Sequence, residues 1–385
     1  MILIICNTSY QVFNAINLKM QMHPDEEIDI ILSEHTNLQG LEKNLNVCKL
    51  FRNVYLAETL TLARQFYFFE DSKKLNALLQ PEKYVKDCLD IDYLQYDIIY
   101  TANVDGYINL IFRMHLLNQT FCEIRYYEDG WTTYANDWSN FAYSPYEKHF
   151  YEVLGQDIFC KALRTIYVYE PKLGCYSDKF EYKQLPKIDI NDMKMKTVYN
   201  FIFEYNKYKE DIDLYKTNAI FLEEAFLQDG YQNNDLDLIL NVAQRVGESH
   251  LLVKRHPRLL KNRFESLEII TNSNFSIPWE VIIFNNDFKD KILFTITSGA
   301  VLTPRLVFGI PTFSIFMRDL LIGPVSPMYK TKGFQNFINM FRKLNPNEVY
   351  IPKTLNGIQI CIDTILEEMQ TCEWILKKQE IKHED

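Results

Sequence analysis

The chain has 385 residues, of which 47% are hydrophobic and 24% are charged, and its formal net charge is −10. This length predicts two domains, and the acidic balance without a Lys/Arg-rich run excludes non-specific nucleic-acid binding, which needs a basic face. No apolar run approaches the roughly 20 residues that span a bilayer, and the apolar start is too short for a signal peptide. We therefore expect a cytoplasmic protein, and peripheral contact with the inner membrane face stays open.

The first half of the chain alternates short apolar runs with segments of helical spacing. Polar, cap-like residues follow the first apolar run, and a stretch rich in aromatic and Asn/Ser residues over 134–152 predicts a loop with a short helix. Strands are predicted at 2–6, 28–32, 96–101 and 121–127, and helices at 60–79 and 107–117. This alternation predicts a parallel sheet in an N-terminal Rossmann-like domain, residues 1–190.

A polar segment at 191–216 with helical apolar spacing is interpreted as a connector, and a second Rossmann-like domain is expected over 217–385. Its strands are predicted at 218–222, 250–253, 267–271, 293–297 and 312–315, with helices at 236–246 and 356–378. The predicted fold is α/β, with two Rossmann-like domains facing across a cleft at the carboxyl ends of their strands, where ligands bind in such folds.

Two adjacent carboxylates, Glu128 and Asp129, follow a predicted strand and precede Gly130, which permits a sharp turn. Adjacent carboxylates repel each other, which raises the pKa of one of them and suits a general base. An acidic, solvent-exposed turn is the alternative. No two of the eight cysteines have C-x-x-C spacing, so neither a zinc knuckle nor a redox motif is indicated.

A predicted strand leads directly into three cations and one histidine within five residues, Lys254 to Arg258. Pro257 disfavours helical geometry at His256, so the imidazole is expected at a strand exit. Cations supply charge and donors to a phosphate, and the histidine can hydrogen-bond or protonate a leaving phosphate. A basic surface loop is the alternative reading of this segment.

Two further strand-end motifs are candidates for nucleotide binding. Thr297, Ser298 and Gly299 precede a helical run, and hydroxyls with backbone N–H groups at a helix N-terminus bind anions; an ordinary helix cap is the alternative. Glu280, after Pro278, is suited to binding the ribose hydroxyls of a nucleotide. Asp235 and Asp237 lie on a predicted helix, and we expect them to face solvent rather than to bind a metal.

At these residues the chain resembles the bacterial sialyltransferases of the lipooligosaccharide and capsule type, glycosyltransferase family 52 and relatives. The resemblance rests on Glu128-Asp129-Gly130, the run from Lys254 to Arg258, Pro278 to Glu280, the pair Thr297-Ser298, and the opening Cys6 to Gln11. It extends from the first strand to about Phe316.

The resemblance implies a metal-independent, inverting transfer of sialic acid from CMP-N-acetylneuraminic acid to a terminal sugar, with galactose the expected acceptor. Glu128 or Asp129 would be the base, with Glu128 favoured; His256 would act on the phosphate, Ser298 and Thr297 would bind it, and Glu280 would hold the ribose. Lys254, Pro257, Arg258 and Gly299 would complete the donor site, and the acceptor would contact Asn7, Ser9, Asp105 and Trp131.

The chain departs from the family pattern in two places. It has Thr-Ser where Ser-Ser is common, and Asp229 is an alternative base because some members use an acid closer to the His-Pro pair. The expected partners are a CMP-sugar and a surface glycan, with a lipid-linked acceptor left open and no cofactor or nucleic acid. A transferase using a hexosyl donor and a non-catalytic capsule-assembly protein are the alternative functions, and the oligomeric state is left open.

Overall fold

The computed structural model of the chain describes residues 1–34, 38–103, 105–135, 163–174, 180–209, 214–259 and 261–381. The chain forms two compact units, Met1–Asn206 and Lys207–Asp385. The segment predicted as a connector, 191–216, is therefore divided between the two units. Its main helix, α8 (Met193–Ile202), belongs to the first unit.

The first unit contains a seven-stranded parallel sheet in the order β3-β2-β1-β4-β5-β6-β7. Most of its inner strands are continuous apolar runs because both faces of a parallel sheet are covered by helices. The strands are β1 (Ile2–Cys6), β2 (Ile28–Ser33), β3 (Asn53–Ala57), β4 (Ile98–Thr101), β5 (Glu123–Tyr127), β6 (Leu163–Val168) and β7 (Glu181–Gln184).

The helices of the first unit differ from the predicted ones mainly at one break. The single helix expected over 60–79 is two helices, which are separated at Phe69 and Glu70, and both of these residues have extended backbone. The helices are α1 (Ser9–Asn17), which continues into a π-helical turn, α2 (Gln39–Cys48), α3 (Thr59–Phe68), α4 (Asp71–Leu79), α5 (Pro81–Cys88), α6 (Gly106–Leu117), α7 (Trp131–Ala135), α8 and, extending into the second unit, α9 (Tyr205–Tyr208). The loop predicted over 134–152 lies outside the described residues from 136 onward.

The second unit contains a six-stranded parallel sheet in the order β10-β9-β8-β11-β12-β13. Counted from its own first strand, this is the order 3-2-1-4-5-6, as in the Rossmann fold. The strands are β8 (Ala219–Leu222), β9 (Leu251–Lys254), β10 (Ile270–Thr271), β11 (Ile292–Thr295), β12 (Phe313–Phe316) and β13 (Val349–Tyr350). The order reverses between β8 and β11, and ligands bind at the carboxyl ends of such a pair.

Helices cover the second sheet and form its core with it. The helices are α10 (Asp235–Val246), α11 (Trp279–Asn285), α12 (Thr303–Phe308), α13 (Lys332–Leu344) and α14 (Leu355–Ile381). Val242 of α10 and Ile358 of α14 are completely buried in one cluster with the strand residues Phe221, Phe294 and Ile315. This packing fixes the carboxyl edge of the sheet, from which the candidate site is built. Two Rossmann-like units thus confirm the predicted fold class.

Candidate functional site

Glu128 directly follows β5, and its side chain is buried within the first unit. Only 1% of it is exposed. Its Oε1 accepts a hydrogen bond from the Tyr10 hydroxyl at 3.2 Å, and its Oε2 accepts one from the Tyr169 N–H at 2.9 Å and another from the Tyr134 hydroxyl. Burial raises the pKa of Glu128 to about 7, although these hydrogen bonds oppose the rise. Both carboxylate oxygens are therefore engaged within the unit.

Asp129 is partly exposed, whereas its neighbour Glu128 is buried. Burial raises the pKa of Asp129 to about 6, and a hydrogen bond with Gln11 opposes this rise. The backbone of Gly130 has a φ of +82°, and this left-handed turn separates Asp129 from α7. The sequence analysis favoured Glu128 as the base. Because Asp129 is the more exposed of the two acids, the structure instead favours Asp129 for contact with a substrate.

The four residues expected to bind an acceptor follow strands of the first unit, but Asp105 acts as a helix cap. Its Oδ1 accepts hydrogen bonds from the N–H groups of Tyr107 and Ile108, at 3.0 and 3.1 Å, so it caps α6. Asn7 is buried in the turn after β1, where its N–H donates to Gln11 Oε1 at 2.6 Å. Ser9 and Trp131 begin α1 and α7 respectively and are partly exposed.

His256 follows β9 by two residues and has a defined tautomer. Its Nδ1 accepts a hydrogen bond from the Arg258 N–H at 3.2 Å, so a neutral ring carries its proton on Nε2. Burial, together with the charges of Arg258 and Lys254, lowers the pKa of His256 to about 4, although the charge of Asp229 opposes this shift. The imidazole is thus neutral near pH 7 and offers an Nε2–H donor.

The other members of this motif separate into inward and outward groups. Arg255, counted among the three expected cations, is buried: its guanidinium donates to the Leu259 carbonyl at 2.9 Å. Arg258 is exposed and forms a two-point ion pair with Asp229, with N–O distances of 2.5 and 3.2 Å. Pro257 is exposed between them. The cationic group at the site therefore consists of Lys254 and Arg258.

Ser298 is partly exposed after β11. Its Oγ accepts from the Ala300 N–H at 3.3 Å, and its own N–H donates to Thr295 Oγ1 at 3.0 Å. Gly299 begins a 3-10 turn, Gly299–Leu302, which leads directly into α12 (Thr303–Phe308), so this segment precedes a helical run as predicted. A Ser298 hydroxyl that accepts from a backbone N–H can still donate its proton to an anion.

Thr297 and Glu224 form a contact that the sequence reasoning missed. Glu224 Oε1 accepts hydrogen bonds from the Thr297 N–H at 3.0 Å and from the Thr297 hydroxyl, and its Oε2 accepts from the Ile296 N–H at 3.2 Å. Burial raises the pKa of Glu224 to about 7 against these hydrogen bonds. In this structure the Thr297 hydroxyl donates its proton to Glu224, and the contact of Thr297 with a phosphate stays a prediction.

Trp279, beside Glu280, links two of the predicted motifs. Its indole N–H donates to the Ala300 carbonyl at 2.9 Å, and the Nζ of Lys254 lies 5.6 Å from its ring centroid. Glu280 lies in the first turn of α11 and is 7% exposed. The Lys254, Glu280 and Ser298 segments therefore meet at one edge of the second sheet.

The expectation that Asp235 faces solvent is wrong. Asp235 is 5% exposed and pairs with Arg263 at 2.6 Å, and Arg263 also pairs with Glu223 at 2.7 Å. Among the residues that the structure describes, no three His, Cys, Asp or Glu side chains are grouped to hold a metal ion. Nor does any described helix have the length and apolar character needed to cross a membrane.

The model of the alpha-2,8-polysialyltransferase family matches residues 2–316, which is most of the chain. The chain belongs to this family and is a glycosyltransferase. The predicted relationship to bacterial sialyltransferases is thereby confirmed, whereas the family 52 label stays a prediction.

Solved structures of similar fold are distant in sequence. The chain is 11% identical to MurG of Acinetobacter baumannii, covering 96% of this chain and 92% of that one, with a TM-score of 0.48. It is 10% identical to UDP-GlcNAc 2-epimerase of Neisseria meningitidis, with coverages of 96% and 92% and a TM-score of 0.48. For UGT89C1 of Arabidopsis thaliana the identity is 8%, the coverages are 91% and 85%, and the TM-score is 0.43. No curated protein matches the chain.

Proposed function

We propose that the chain transfers sialic acid from CMP-N-acetylneuraminic acid to a hydroxyl at the end of a glycan, with inversion at the anomeric carbon. The observation that carries this proposal is the meeting of the Lys254, Glu280 and Ser298 segments at the carboxyl edge of the second sheet. The neutral imidazole of His256 and the hydroxyl of Ser298, with the cations Lys254 and Arg258, suit the binding of a single phosphate. Membership of the alpha-2,8-polysialyltransferase family supports sialyl transfer.

In the proposed reaction, Asp129 takes the proton of the acceptor hydroxyl as that oxygen attacks the anomeric carbon. The bond from this carbon to the phosphate oxygen breaks, and the electron pair leaves with CMP. The His256 Nε2–H and the Ser298 hydroxyl donate to the phosphate as its charge grows. Removal of one such donor costs about 3 kcal/mol of transition-state stabilisation.

Glu128 would hold the Asp129 turn rather than react, because both of its carboxylate oxygens accept hydrogen bonds from the first unit. Glu280 is proposed to hold the ribose, and Lys254 and Arg258 to attract the anionic donor. A donor with one phosphate needs no metal for charge neutralisation, so metal independence belongs to the proposal. The proposed location is the cytoplasm, where donor and lipid-linked acceptors would be accessible.

The family and the sequence resemblance point to different acceptors. The name alpha-2,8-polysialyltransferase favours a terminal sialic acid, whereas the sequence resemblance predicts galactose. A cavity of about 1010 Å³ in the first unit, at the carboxyl ends of β2 and β3, offers room for the glycan beyond its reacting sugar. It is lined by polar and aromatic side chains, among them Gln65, Phe69 and Tyr84.

A nucleotide panel followed by a transfer assay tests this function. We expect CMP and CDP, but not UDP or GDP, to raise the unfolding temperature, and CMP-sialic acid to be consumed with either lactose or a disialylated glycan. His256→Ala should lower the rate of transfer by about 10²–10³ without unfolding the protein, while the exposed His250→Ala serves as the matched control. Protection by UDP alone, with no turnover of CMP-sialic acid, would overturn the proposal.

A further inference from the structure

A second, smaller cavity of about 210 Å³ lies within the second unit and has no role in the function proposed above. Thr297 and Arg318, which line it, each lie two residues beyond the strands β11 and β12. These strands are parallel neighbours, so their carboxyl ends lie at the same edge. The cavity is lined by Thr297, Arg318, Asp319, Leu321, Gly323, Val325, Tyr329, Lys330 and Gln335.

The charged groups of this cavity favour an anion. Arg318 and Lys330 are its cations, and Asp319 is the acid among the described lining residues. Asp319 pairs with Arg318, at 3.2 Å, but also with Lys353, so its negative charge is shared between two cations. The lining therefore keeps a positive excess. Pockets that enclose whole drug-sized ligands measure about 300–1,000 Å³, so this volume suits one substituent.

Arg318 is fixed in place by packing. Its guanidinium carbon lies 5.6 Å from the ring centroid of Phe334, and its side chain is 17% exposed. Its buried Nε lies 3.2 Å from Asp319 Oδ1 but does not form a hydrogen bond of good geometry with any described residue. A planar guanidinium that is held in one orientation is suited to bidentate binding of a carboxylate.

The cavity adjoins the groups assigned to the phosphate. Thr297, in its wall, precedes Ser298. Tyr329, also in its wall, lies within electrostatic reach of Glu224, Asp229 and Arg258: burial raises the pKa of Tyr329 to about 12, and the charge of Arg258 opposes this rise. The Thr297 loop thus forms part of the cavity wall, and Arg258 of the His256 loop is within electrostatic reach of it.

We propose that Arg318 and Lys330 bind the carboxylate of the donor sugar, an inference that rests on the proposed function. In CMP-sialic acid the anomeric carbon carries both the phosphate oxygen and the carboxylate. The carboxylate is thus only a few bonds away from the phosphate. When Ser298 binds the phosphate, the carboxylate therefore lies near Thr297, in the cavity wall. Neutral hexosyl donors lack this group and leave the positive excess of the lining uncompensated. The cavity then selects a sialyl donor, independently of the nucleotide.

The test compares CMP with a fluorinated, non-transferable analogue of CMP-sialic acid by calorimetric titration. For Arg318→Gln we expect the Kd of CMP to stay within about twofold, and the Kd of the analogue to rise about tenfold or more, because a charge-assisted pair is lost. Arg318→Lys keeps the charge without the planar fork and should recover part of the affinity. Arg342→Gln, exposed on α13, is the matched control.

Equal weakening of both ligands would place the nucleotide in the cavity and overturn the inference, and so would unchanged binding of the analogue. If Arg318→Gln does not fold, the exposed Lys330→Gln carries the same comparison. Wild-type protein that binds UDP but not CMP would instead overturn the proposed function. The wild-type titration therefore tests the proposed function, whereas the change in the two Kd values in the variants tests the carboxylate site.

Discussion

The carboxylate of Glu224 accepts a hydrogen bond from the Thr297 N–H at 3.0 Å, and so joins the end of β8 to the end of β11. These are the two strands between which the order of the second sheet reverses. Thr295 donates its hydroxyl proton to Glu224 at 3.4 Å and accepts from the Ser298 N–H at 3.0 Å. Glu224 thereby holds the turn that presents Ser298.

Glu224→Gln is expected to weaken CMP binding about tenfold, because an amide NH2 would face donors and leave a buried N–H without an acceptor. Thr295→Val, which removes the link to Ser298, should act in the same direction. Isothermal titration measures both. Glu348→Gln removes a half-buried carboxylate that pairs with Arg305 elsewhere in the unit, and is the control. An unchanged Kd in the first two variants would contradict this role.

Asp129→Asn should lower kcat by about 10²–10⁴, the usual contribution of general-base catalysis, and should not lower the unfolding temperature, because a neutral amide replaces a carboxylate whose ionised form burial disfavours. Glu128→Gln should instead lower the free energy of unfolding by about 1–3 kcal/mol, because three donors lose their charged acceptor. Steady-state kinetics and denaturant unfolding separate the two. A stable, inactive Glu128→Gln beside an active Asp129→Asn would return the base role to Glu128.

The pH dependence of kcat/KM distinguishes the same two acids. The pKa of Asp129 is raised from 3.8 to about 6, so the base is protonated at pH 5 and activity rises as pH increases through 6. A limb near 7 would indicate Glu128 instead. The contribution of Asp129 to folding stability changes in the opposite direction with pH. Because the folded-state pKa of Asp129 is raised, this contribution is full below about pH 4 and is lost as pH rises through 6.

CMP is expected to raise the pKa of His256 from about 4 by at least one unit, because a phosphate beside Nε2 favours the imidazolium. An NMR titration of the ring protons with and without CMP measures this, and the exposed His250 provides an internal reference. If saturating CMP leaves the titration of His256 unchanged, the phosphate does not contact it.

Asp229→Ala should change kcat less than about fivefold, because its exposed ion pair with Arg258 is worth about 1 kcal/mol or less. The kinetic assay of this variant, beside Arg258→Ala, tests the alternative base. Loss of kcat in Asp229→Ala, with CMP affinity retained, would assign the base to Asp229.

The sequence predicted most of the inner strands because they are continuous apolar runs, as at Ile2–Cys6 and Ala219–Leu222. It did not predict the inner strand β6 (Leu163–Val168), in which polar residues interrupt the apolar run. It did not predict β3, which is half-exposed, or β7, whose residues Glu181–Gln184 are polar at the sheet edge. Neither strand has the hydrophobic pattern on which such a prediction depends.

In the site, strand-end motifs were visible, but their partners were not. Glu223 and Glu224 carry the same signal as Glu128 and Asp129, two acids directly after an apolar strand, and this signal could have identified them. The pairing of Glu224 with Thr297 depends on strand order in the folded sheet, which no local pattern specifies. The inward turn of Arg255 likewise depends on the Leu259 carbonyl.

The groups proposed to recognise the nucleotide all lie in Lys207–Asp385, and the carboxylate pair proposed to act on the acceptor lies in Met1–Asn206. Mutations that alter one recognition task therefore need not disturb the packing behind the other. Through evolution, such a division lets a lineage vary the glycan it decorates while it keeps one activated sugar. Chimeras that join halves from two relatives would inherit each preference from a separate parent.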